Sequence, residues 1–255
     1  MTDQTGKVEQ FRALHIRGNP LVLFNVWNPG SAKRIAAAGA MAIATSSWSI
    51  AAANGYADGE RIPLSLAIEN LRRIVAATDL PVTVDLESGY GDSPEVVGET
   101  VASAISAGAV GCNLEDSFPT NGELRGTAVQ CERIRQARRR ADAALSGYFV
   151  NARTDVFFQR PPEQHNGALV EEAVARGRAY ADAGADGLFA PGLKDAGLIA
   201  DLAKASPLPL NIMVTTGTPS LRELAQRGVA RVSYGPNPYL IAMEALEAAA
   251  RAARA

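Results

Sequence analysis

Two carboxylates directly follow an apolar segment in the stretch VTVDLESGYGD, residues 82–92. Asp85 and Glu87 are two residues apart, so in a β-strand both side chains leave the chain on the same face. In parallel α/β sheets the reactive groups lie at the carboxyl ends of the strands, which is where this pair falls. Two neighbouring carboxylates are unfavourable unless a positive charge lies between them. The spacing therefore predicts a site for a divalent metal ion, although strand-end carboxylates that only cap nearby helix amides are the alternative.

Polar residues also end the other apolar segments of the chain. They are Trp27, Asn28, Ser46, Ser47, Glu115, Asp116, Asn151, Arg153, Asp155, Asn211 and Tyr234. Carboxylates are frequent in this set and histidine is missing, which suits a hard cation such as Mg²⁺ or Mn²⁺ that keeps several waters and is completed by substrate oxygens. Arg153 offers a planar donor for a carboxylate or phosphonate. These residues predict a small anionic substrate that chelates the metal and pairs with Arg153.

Two turns add further candidates. The segment ATSSWS, residues 44–49, places Ser46 and Ser47 where hydroxyls and backbone amides could hold a substrate carboxylate, although serine pairs also commonly cap helices. In GYADG, residues 55–59, Asp58 could either stabilise the turn or act on the substrate. Spacing alone does not separate these alternatives.

The segments that would position these residues alternate along the chain in a regular way. Eight short apolar segments are separated by helix-patterned ones, which is typical of βα units on a parallel sheet. They begin at Leu21, Met41, Pro81, Ala109, Gly147, Asp186, Pro209 and Ala230. Eight strands close a (β/α)8 TIM barrel, so we predict an α/β fold of this type as a single domain, residues 1–255, that ends in an alanine-rich helix. A doubly wound open sheet is disfavoured because no segment has the pattern of an exposed edge strand.

The composition narrows the class of protein. The 255 residues are 47% hydrophobic and 20% charged with a net charge of −2, which predicts a soluble globular protein of the cytoplasm and gives no reason to expect nucleic acid or a membrane as a partner. Cys112 and Cys131 have no metal-ligand spacing. His15 and His165 are expected at the surface, so the chemistry must rely mainly on metal and electrostatics.

Taken in order, these motifs resemble those of the isocitrate lyase / phosphoenolpyruvate mutase superfamily, over nearly the whole chain. The matching segments are NVWNPGSA from Asn25, TSSW from Thr45, GYADG from Gly55, DLESGYG from Asp85, GCNLEDS from Gly111, NARTD from Asn151, AYADAGADGLF from Ala179 and GVARVSYGP from Gly228. The resemblance implies a Mg²⁺-dependent barrel enzyme that makes or breaks a C–C or P–C bond next to the enolate of a pyruvate-like unit. It also implies dimers or tetramers in which the last helix is exchanged between subunits.

Residue by residue, the resemblance implies that Asp85 contacts the metal directly and that Glu87 and Glu115 hold metal-bound waters. Ser46, Ser47 and Arg153 would bind the substrate, with Asp58 lining the site. Superfamily members that cleave isocitrate or methylisocitrate carry a loop with a catalytic cysteine after the LED motif. The corresponding loop here, residues 117–126, has neither cysteine nor histidine.

The sequence therefore predicts a Mg²⁺-dependent lyase (with Mn²⁺ possible) that cleaves a C–C bond of a small 2-oxo or 2-hydroxy diacid, with an oxaloacetate-like compound as the first substrate to try. The loop Ser117–Arg125 is expected to close over the site, with Gly122 as its hinge, and to deliver Asn121 or Arg125. The predicted catalytic residues are Asp58, Glu115, Asn121 and Arg153; the substrate-binding residues are Trp27, Ser46, Ser47, Asp85, Arg153 and Asn211; the metal-site residues are Asp85, Glu87 and Glu115.

Two alternatives remain open. The segment FPTN from Phe118 favours phosphonopyruvate hydrolase or phosphoenolpyruvate mutase chemistry. The missing cysteine and histidine leave room for an inactive barrel that only binds a 2-oxo acid.

Overall fold

The computed structural model describes residues 4–254, and its centre is a barrel of eight short parallel strands. The strands are β1 Leu21–Leu23, β2 Ile43–Ala44, β3 Val82–Asp85, β4 Gly111–Glu115, β5 Phe149–Arg153, β6 Gly187–Phe189, β7 Leu210–Met213 and β8 Arg231–Ser233. From β2 to β8 each strand pairs with the next one along the chain, and β8 pairs with β1. A parallel bridge between Val26 and Thr45 joins the remaining edges, just beyond β1 and β2. The predicted (β/α)8 barrel is confirmed.

Helices surround the strands, and several of them begin at a residue whose side chain caps the first turn. They are α1 Gln4–Ala13, α2 Pro29–Ala37, α3 Ser47–Ala53, α4 Leu64–Ala76, α5 Pro94–Ser106, α6 Thr127–Ala144, α7 Gly167–Asp182, α8 Ala196–Ala205, α9 Leu221–Gln226 and α10 Asn237–Ala252. At the start of α2, Asn28 and Ser31 form a capping box, and Ser220 with Glu223 does the same for α9. These caps satisfy amides that a helix leaves unpaired at its first turn.

Aromatic side chains close the amino end of the barrel. Phe11 of α1 is fully buried and packs edge-on against Phe149, with ring centroids 5.5 Å apart. His15 stacks on Phe149 at 4.1 Å, and its Nδ1–H donates to the carbonyl oxygen of Phe11 at 2.9 Å. The expectation of a surface histidine is therefore wrong at residue 15, which is half-buried because the segment after α1 packs this side chain under the barrel. Gly187 makes room here, since a Cβ at that position would lie 3.0 Å from the Phe149 ring.

Helix α10 is packed far less than the other helices. Pro238 is its buried residue, whereas Ile241 and Leu246 are 57% and 63% exposed. Elsewhere on the chain, a cavity of about 650 Å³ with a mainly apolar lining lies beside β1. Its walls include Leu14, Ile16, Pro20, Val22, Phe24, Ile35 and Met41.

Within residues 4–254 the longest apolar stretch of helix falls short of what a bilayer span requires. The assignment of residues 1–255 to a single domain stays a prediction, and residues 1–3 and 255 lie outside the described part of the chain.

Candidate active site

A cavity of about 240 Å³ lies at the carboxyl ends of the strands. Five of the predicted site residues line it: Ser46, Ser47, Asp58, Asp85 and Arg153. Other lining residues escaped the sequence analysis: Asn25, Trp48, Asn113, Phe158, Phe189, Pro191, Met213, Ser233, Gly235 and Pro236. Among the described residues, those that line the larger cavity beside β1 have no ionisable side chain, so the smaller cavity is the candidate active site.

Asp85 ends β3 and projects into this cavity. Its Oδ2 accepts a hydrogen bond from the Ser47 hydroxyl at 2.8 Å, and its backbone N–H donates to Thr45 Oγ1 at 2.9 Å. Ser46 is the N-cap of α3, with its hydroxyl oxygen accepting from Ser49 N–H at 3.3 Å. The two serines therefore have different roles in the structure, since Ser46 caps a helix at the cavity wall and Ser47 orients the Asp85 carboxylate.

Glu87 turns away from the cavity although it is only two residues beyond Asp85. Its side chain is 4% exposed, and Oε2 accepts from the backbone N–H groups of Gly59 and Glu60 at 3.0 and 2.7 Å. Burial, reinforced by the charge of Asp85, raises the pKa of Glu87 to about 7. The turn after β3 bends the backbone at Glu87, which has a φ of 51°, so the strand alternation that predicted a shared face with Asp85 ends before it reaches this residue.

Arg153 lies between two carboxylates. Its Nη1 is 2.6 Å from Glu115 Oε2, while Nε and Nη2 donate to the two oxygens of Asp155 at 2.7 and 3.0 Å. Burial raises the pKa of Glu115 well above its usual range, and the Arg153 charge opposes that shift. The arrangement fixes the guanidinium plane at the wall of the cavity.

Asp58 lies on the turn between α3 and α4, at the mouth of the cavity, and one side of it is exposed. Partial desolvation, followed by the charge of Asp85, raises the pKa of Asp58. The side chain therefore holds a proton to a higher pH than an isolated aspartate does.

The structure does not bring the other predicted residues into the cavity. Trp27 packs edge-on against Tyr239, with centroids 5.2 Å apart. Asn211 lies one layer deeper, where its Oδ1 accepts from the hydroxyl of Ser233 at 3.2 Å. Asn121 is exposed on its loop and donates to Glu123 Oε2 at 2.9 Å.

The loop that carries Asn121 forms a small hairpin, closed by the bridge between Ser117 and Leu124. Arg125 at its end is 3% exposed, stacks on the Phe118 ring at 3.9 Å and lies 3.0 Å from an oxygen of Asp92. In this conformation the guanidinium of Arg125 holds the base of the loop and does not face the cavity.

The chemistry of the donor groups fits a hard divalent cation. Within residues 4–254 no three acidic, histidine or cysteine side chains converge on one point, but Mg²⁺ commonly uses one or two carboxylates and completes its shell with waters and substrate oxygens. Asp85 provides such a carboxylate inside the cavity. Its charge also contributes to the raised pKa values of Asp58, Glu87 and Glu115, which indicates negative charge that a cation would compensate.

A buried cation lies beneath the cavity floor. Arg231 is 1% exposed and its Nη2 donates to Asn113 Oδ1 at 3.2 Å, while Nε and Nη1 have no protein partner. Asn113, which lines the cavity, also accepts from Asn151 Nδ2 at 2.9 Å. The matching segment GVARVSYGP contains Arg231, but an arginine at the start of a strand has no sequence signature for burial.

A parallel eight-stranded barrel with carboxylates and an arginine at the carboxyl ends of its strands belongs to the class of (β/α)8 barrel enzymes. Comparison with known proteins narrows this class. The sequence profile of the phosphoenolpyruvate phosphomutase family matches residues 11–254, so the chain belongs to that family, within the isocitrate lyase / phosphoenolpyruvate mutase superfamily, and is an enzyme whose homologues are lyases of that superfamily.

Relatives and solved structures agree with this assignment. The chain is 33% identical over 251 residues to an oxaloacetate decarboxylase of Pseudomonas entomophila, which covers 92% of the chain and 80% of the relative. The chain is also similar to a crystal structure from Burkholderia cenocepacia J2315, which is provisionally assigned as a phosphonomutase. The TM-score is 0.96 and the identity 57%, and the match covers 98% of this chain and 100% of the other. A crystal structure of a phosphonopyruvate hydrolase in complex with oxalate and Mg²⁺ matches with a TM-score of 0.81 and 27% identity, over 97% of this chain and 87% of the other.

Proposed function

We propose that this protein is a Mg²⁺-dependent lyase that cleaves a C–C bond of a small 2-oxo or 2-hydroxy diacid, with oxaloacetate as the first substrate to test. The observation that carries the proposal is the presence of the Asp85 carboxylate and the clamped guanidinium of Arg153 in the same cavity. The Asp85 carboxylate suits a cation that binds the oxo end of the substrate, and the Arg153 guanidinium suits the anionic end of the substrate. Similarity to oxaloacetate decarboxylases supports this choice of substrate.

The residues of the cavity then have distinct tasks. Asp85 would hold Mg²⁺ directly, with Mn²⁺ as a substitute, and Glu87 and Glu115 would act through metal-bound waters. A cation held there would stabilise the negative charge that develops on the oxo oxygen as the C–C bond breaks. Arg153 would bind the substrate carboxylate, and the hydroxyl of Ser47 would keep the Asp85 carboxylate oriented.

Asp58 is the residue we assign to proton transfer. When the C3–C4 bond of oxaloacetate breaks, carbon dioxide leaves and its bonding electrons pass to the enolate of pyruvate, which then needs one proton at C3. The carboxyl of Asp58 lies at the cavity mouth with a raised pKa and is suited to supply that proton. Asn121 could contribute only after the 117–125 loop has moved.

Turnover of two acids by the purified protein tests this function. With Mg²⁺ and oxaloacetate we expect pyruvate and carbon dioxide at a rate well above the metal-catalysed background, which the Asp85→Asn variant measures under the same conditions. Release of phosphate from phosphonopyruvate would instead support C–P chemistry. Tight binding of both acids without turnover of either would overturn the lyase proposal in favour of a 2-oxo acid-binding protein.

C–P chemistry is the second candidate. It is supported by the FPTN segment of the 117–125 loop and by the structural likeness to phosphonopyruvate hydrolase. We rank it second because Thr120 and Asn121 lie in a hairpin outside the cavity, so that among residues 4–254 Arg153 is the one basic group in the cavity for a phosphonate.

We also propose that the protein forms homodimers or homotetramers by exchange of α10. The helix presents Leu240, Ile241 and Leu246 to solvent, and the cavity beside β1 presents a complementary apolar surface. Both surfaces would be unfavourable in water, and a second copy of the chain supplies a partner for each.

A further inference from the structure

Backbone strain is concentrated beside Asp58. Among residues 4–254, the non-glycine residues with a positive φ are Glu60, Glu87 and Tyr90, at 60°, 51° and 58°. Each such conformation costs about 1 kcal/mol for a residue with a side chain and persists only where surrounding contacts enforce it. All three lie on two facing turns, residues 57–60 after α3 and residues 86–92 after β3.

The two turns hold each other through a reciprocal pair of carboxylates, which we call the glutamate clasp. Glu87 accepts the backbone N–H groups of Gly59 and Glu60, as described above. Glu60 in return reaches the opposite turn, where its Oε1 accepts from the Ser88 hydroxyl at 2.7 Å and from the Tyr90 N–H at 2.8 Å. Each turn therefore supplies one carboxylate and two donors to the other.

The clasp is anchored to the barrel on one side. Arg133 of α6 is fully buried and donates to the carbonyl oxygens of Ser88, Gly91 and Asp92. The turn after β3 is thus fixed to both a strand and a helix. Residues 57–60 depend on the clasp for a comparable attachment.

The opposite side of residues 57–60 faces the hairpin of residues 117–125. A Cβ at Gly59 would lie 3.0 Å from the carbonyl oxygen of Pro119, so the backbone of this turn approaches the hairpin closely. Asp58 precedes Gly59 and is held between these two contacts.

We propose that Glu60 is a positioning residue that sets the location of Asp58 at the cavity mouth through the glutamate clasp. The inference rests on the proposed role of Asp58. A turn that only connected α3 to α4 could use glycine at the strained positions and would not need two carboxylate acceptors, one of them the buried Glu87. The strain and the reciprocal hydrogen bonds are explained if one defined position of Asp58 is required.

Variants of Glu60 test this inference. Glu60→Ala removes both hydrogen bonds to Ser88 and Tyr90, whereas Glu60→Gln keeps an oxygen acceptor in the same place. We expect amide hydrogen exchange in residues 54–62 to accelerate at least tenfold in Glu60→Ala, and kcat to fall at least tenfold with KM changed less than threefold. Glu60→Gln should restore both properties, and Glu69→Gln on the exposed face of α4 should leave both unchanged.

A double variant separates positioning from general damage. If Glu60 acts through Asp58, Glu60→Ala combined with Asp58→Asn should be no slower than Asp58→Asn alone. Unchanged exchange in Glu60→Ala, or faster exchange with an unchanged kcat, would overturn the inference. Ser88→Ala, which removes one donor to Glu60, is the second variant if Glu60→Ala fails to fold.

Hydrogen exchange is measured without substrate, so it does not depend on the proposed function. If the wild-type protein turned over neither acid, the proposed function would fail. The exchange of residues 54–62 would still show whether the glutamate clasp holds this turn.

Discussion

The guanidinium of Arg153 lies 2.6 Å from the carboxylate of Glu115, its neighbour in register on the adjacent strand. Asp155 holds the other edge of the same guanidinium. This contact joins the LED motif of β4 to the NARTD motif of β5 and leaves Arg153 little freedom to change orientation. The Arg153 guanidinium therefore has a fixed orientation in the cavity wall.

Replacing Arg153 by lysine keeps the charge but loses the planar geometry that pairs with two carboxylates at once. We expect Arg153→Lys to lower kcat/KM for the substrate by about 100-fold, with most of the loss in KM. Steady-state kinetics would measure the loss in kcat/KM. Arg139→Lys on the exposed side of α6 is the control and should keep the wild-type value. Wild-type kcat/KM in Arg153→Lys would contradict a role in substrate binding.

Ser47 orients the proposed metal ligand Asp85 through a hydrogen bond of 2.8 Å. Removing the hydroxyl in Ser47→Ala should weaken Mg²⁺ or Mn²⁺ binding by about tenfold, because an outer partner of a ligating carboxylate is lost. Isothermal titration calorimetry in the presence of oxalate gives the affinity. Ser103→Ala, on the surface of α5, should bind the metal as the wild type does, and equal affinities in all three proteins would refute this role of Ser47.

His15 predicts a pH dependence of stability. Burial, followed by the charge of Arg231, lowers the pKa of His15 from 6.5 to about 3. The unfolded chain therefore binds a proton that the folded protein excludes, so this contribution is complete above pH 6.5 and is lost as the pH falls towards 3. By pH 5 about 2 kcal/mol of the free energy of unfolding has been lost in this way.

Urea unfolding of His15→Phe checks this prediction, since phenylalanine keeps the stacking on Phe149 but does not titrate. Between pH 7 and pH 5 the variant should lose less stability than the wild type, and above pH 7 the two curves should run parallel. Identical slopes below pH 6.5 would show that His15 is accessible to protons in the folded state.

If α10 is exchanged between subunits as proposed, one charged substitution on either of two surfaces should disrupt the oligomer. Ile241→Glu on the helix and Ile16→Glu in the cavity beside β1 should each shift the protein towards monomer in light scattering coupled to size-exclusion chromatography. Glu244→Lys, which alters charge on the helix without touching apolar surface, is the control. A wild-type protein that stays monomeric at high concentration would rule out the exchange.

The barrel can be predicted from the sequence because the patterns that indicate its strands and helices involve residues close together in the chain. Every one of the eight apolar segments contains an observed strand, since strand length, glycine stops and apolar content are properties of neighbouring residues. Residues that end strands on the inner face, such as Asp85 and Arg153, were placed correctly in one cavity for the same reason. Their chemical roles remain predictions.

The directions of side chains beyond the strand ends could not be predicted from the sequence. Glu87 was predicted to point with Asp85, but its backbone leaves the β region and its carboxylate binds amides that lie 27 and 28 residues earlier in the chain. The burial of His15 depends on how α1 crosses the bottom of the barrel. Both outcomes are decided by tertiary contacts that residue spacing does not encode.

The packing of Phe11, His15 and Phe149 beneath the strands has a kinetic consequence. Among residues 4–254 it closes the amino end of the barrel, so the cavity opens at the carboxyl ends of the strands, where Asp58 lies. The substrate and the products of the proposed reaction would pass this rim in turn, so a residue there can affect the rate of product release as well as the choice of substrate.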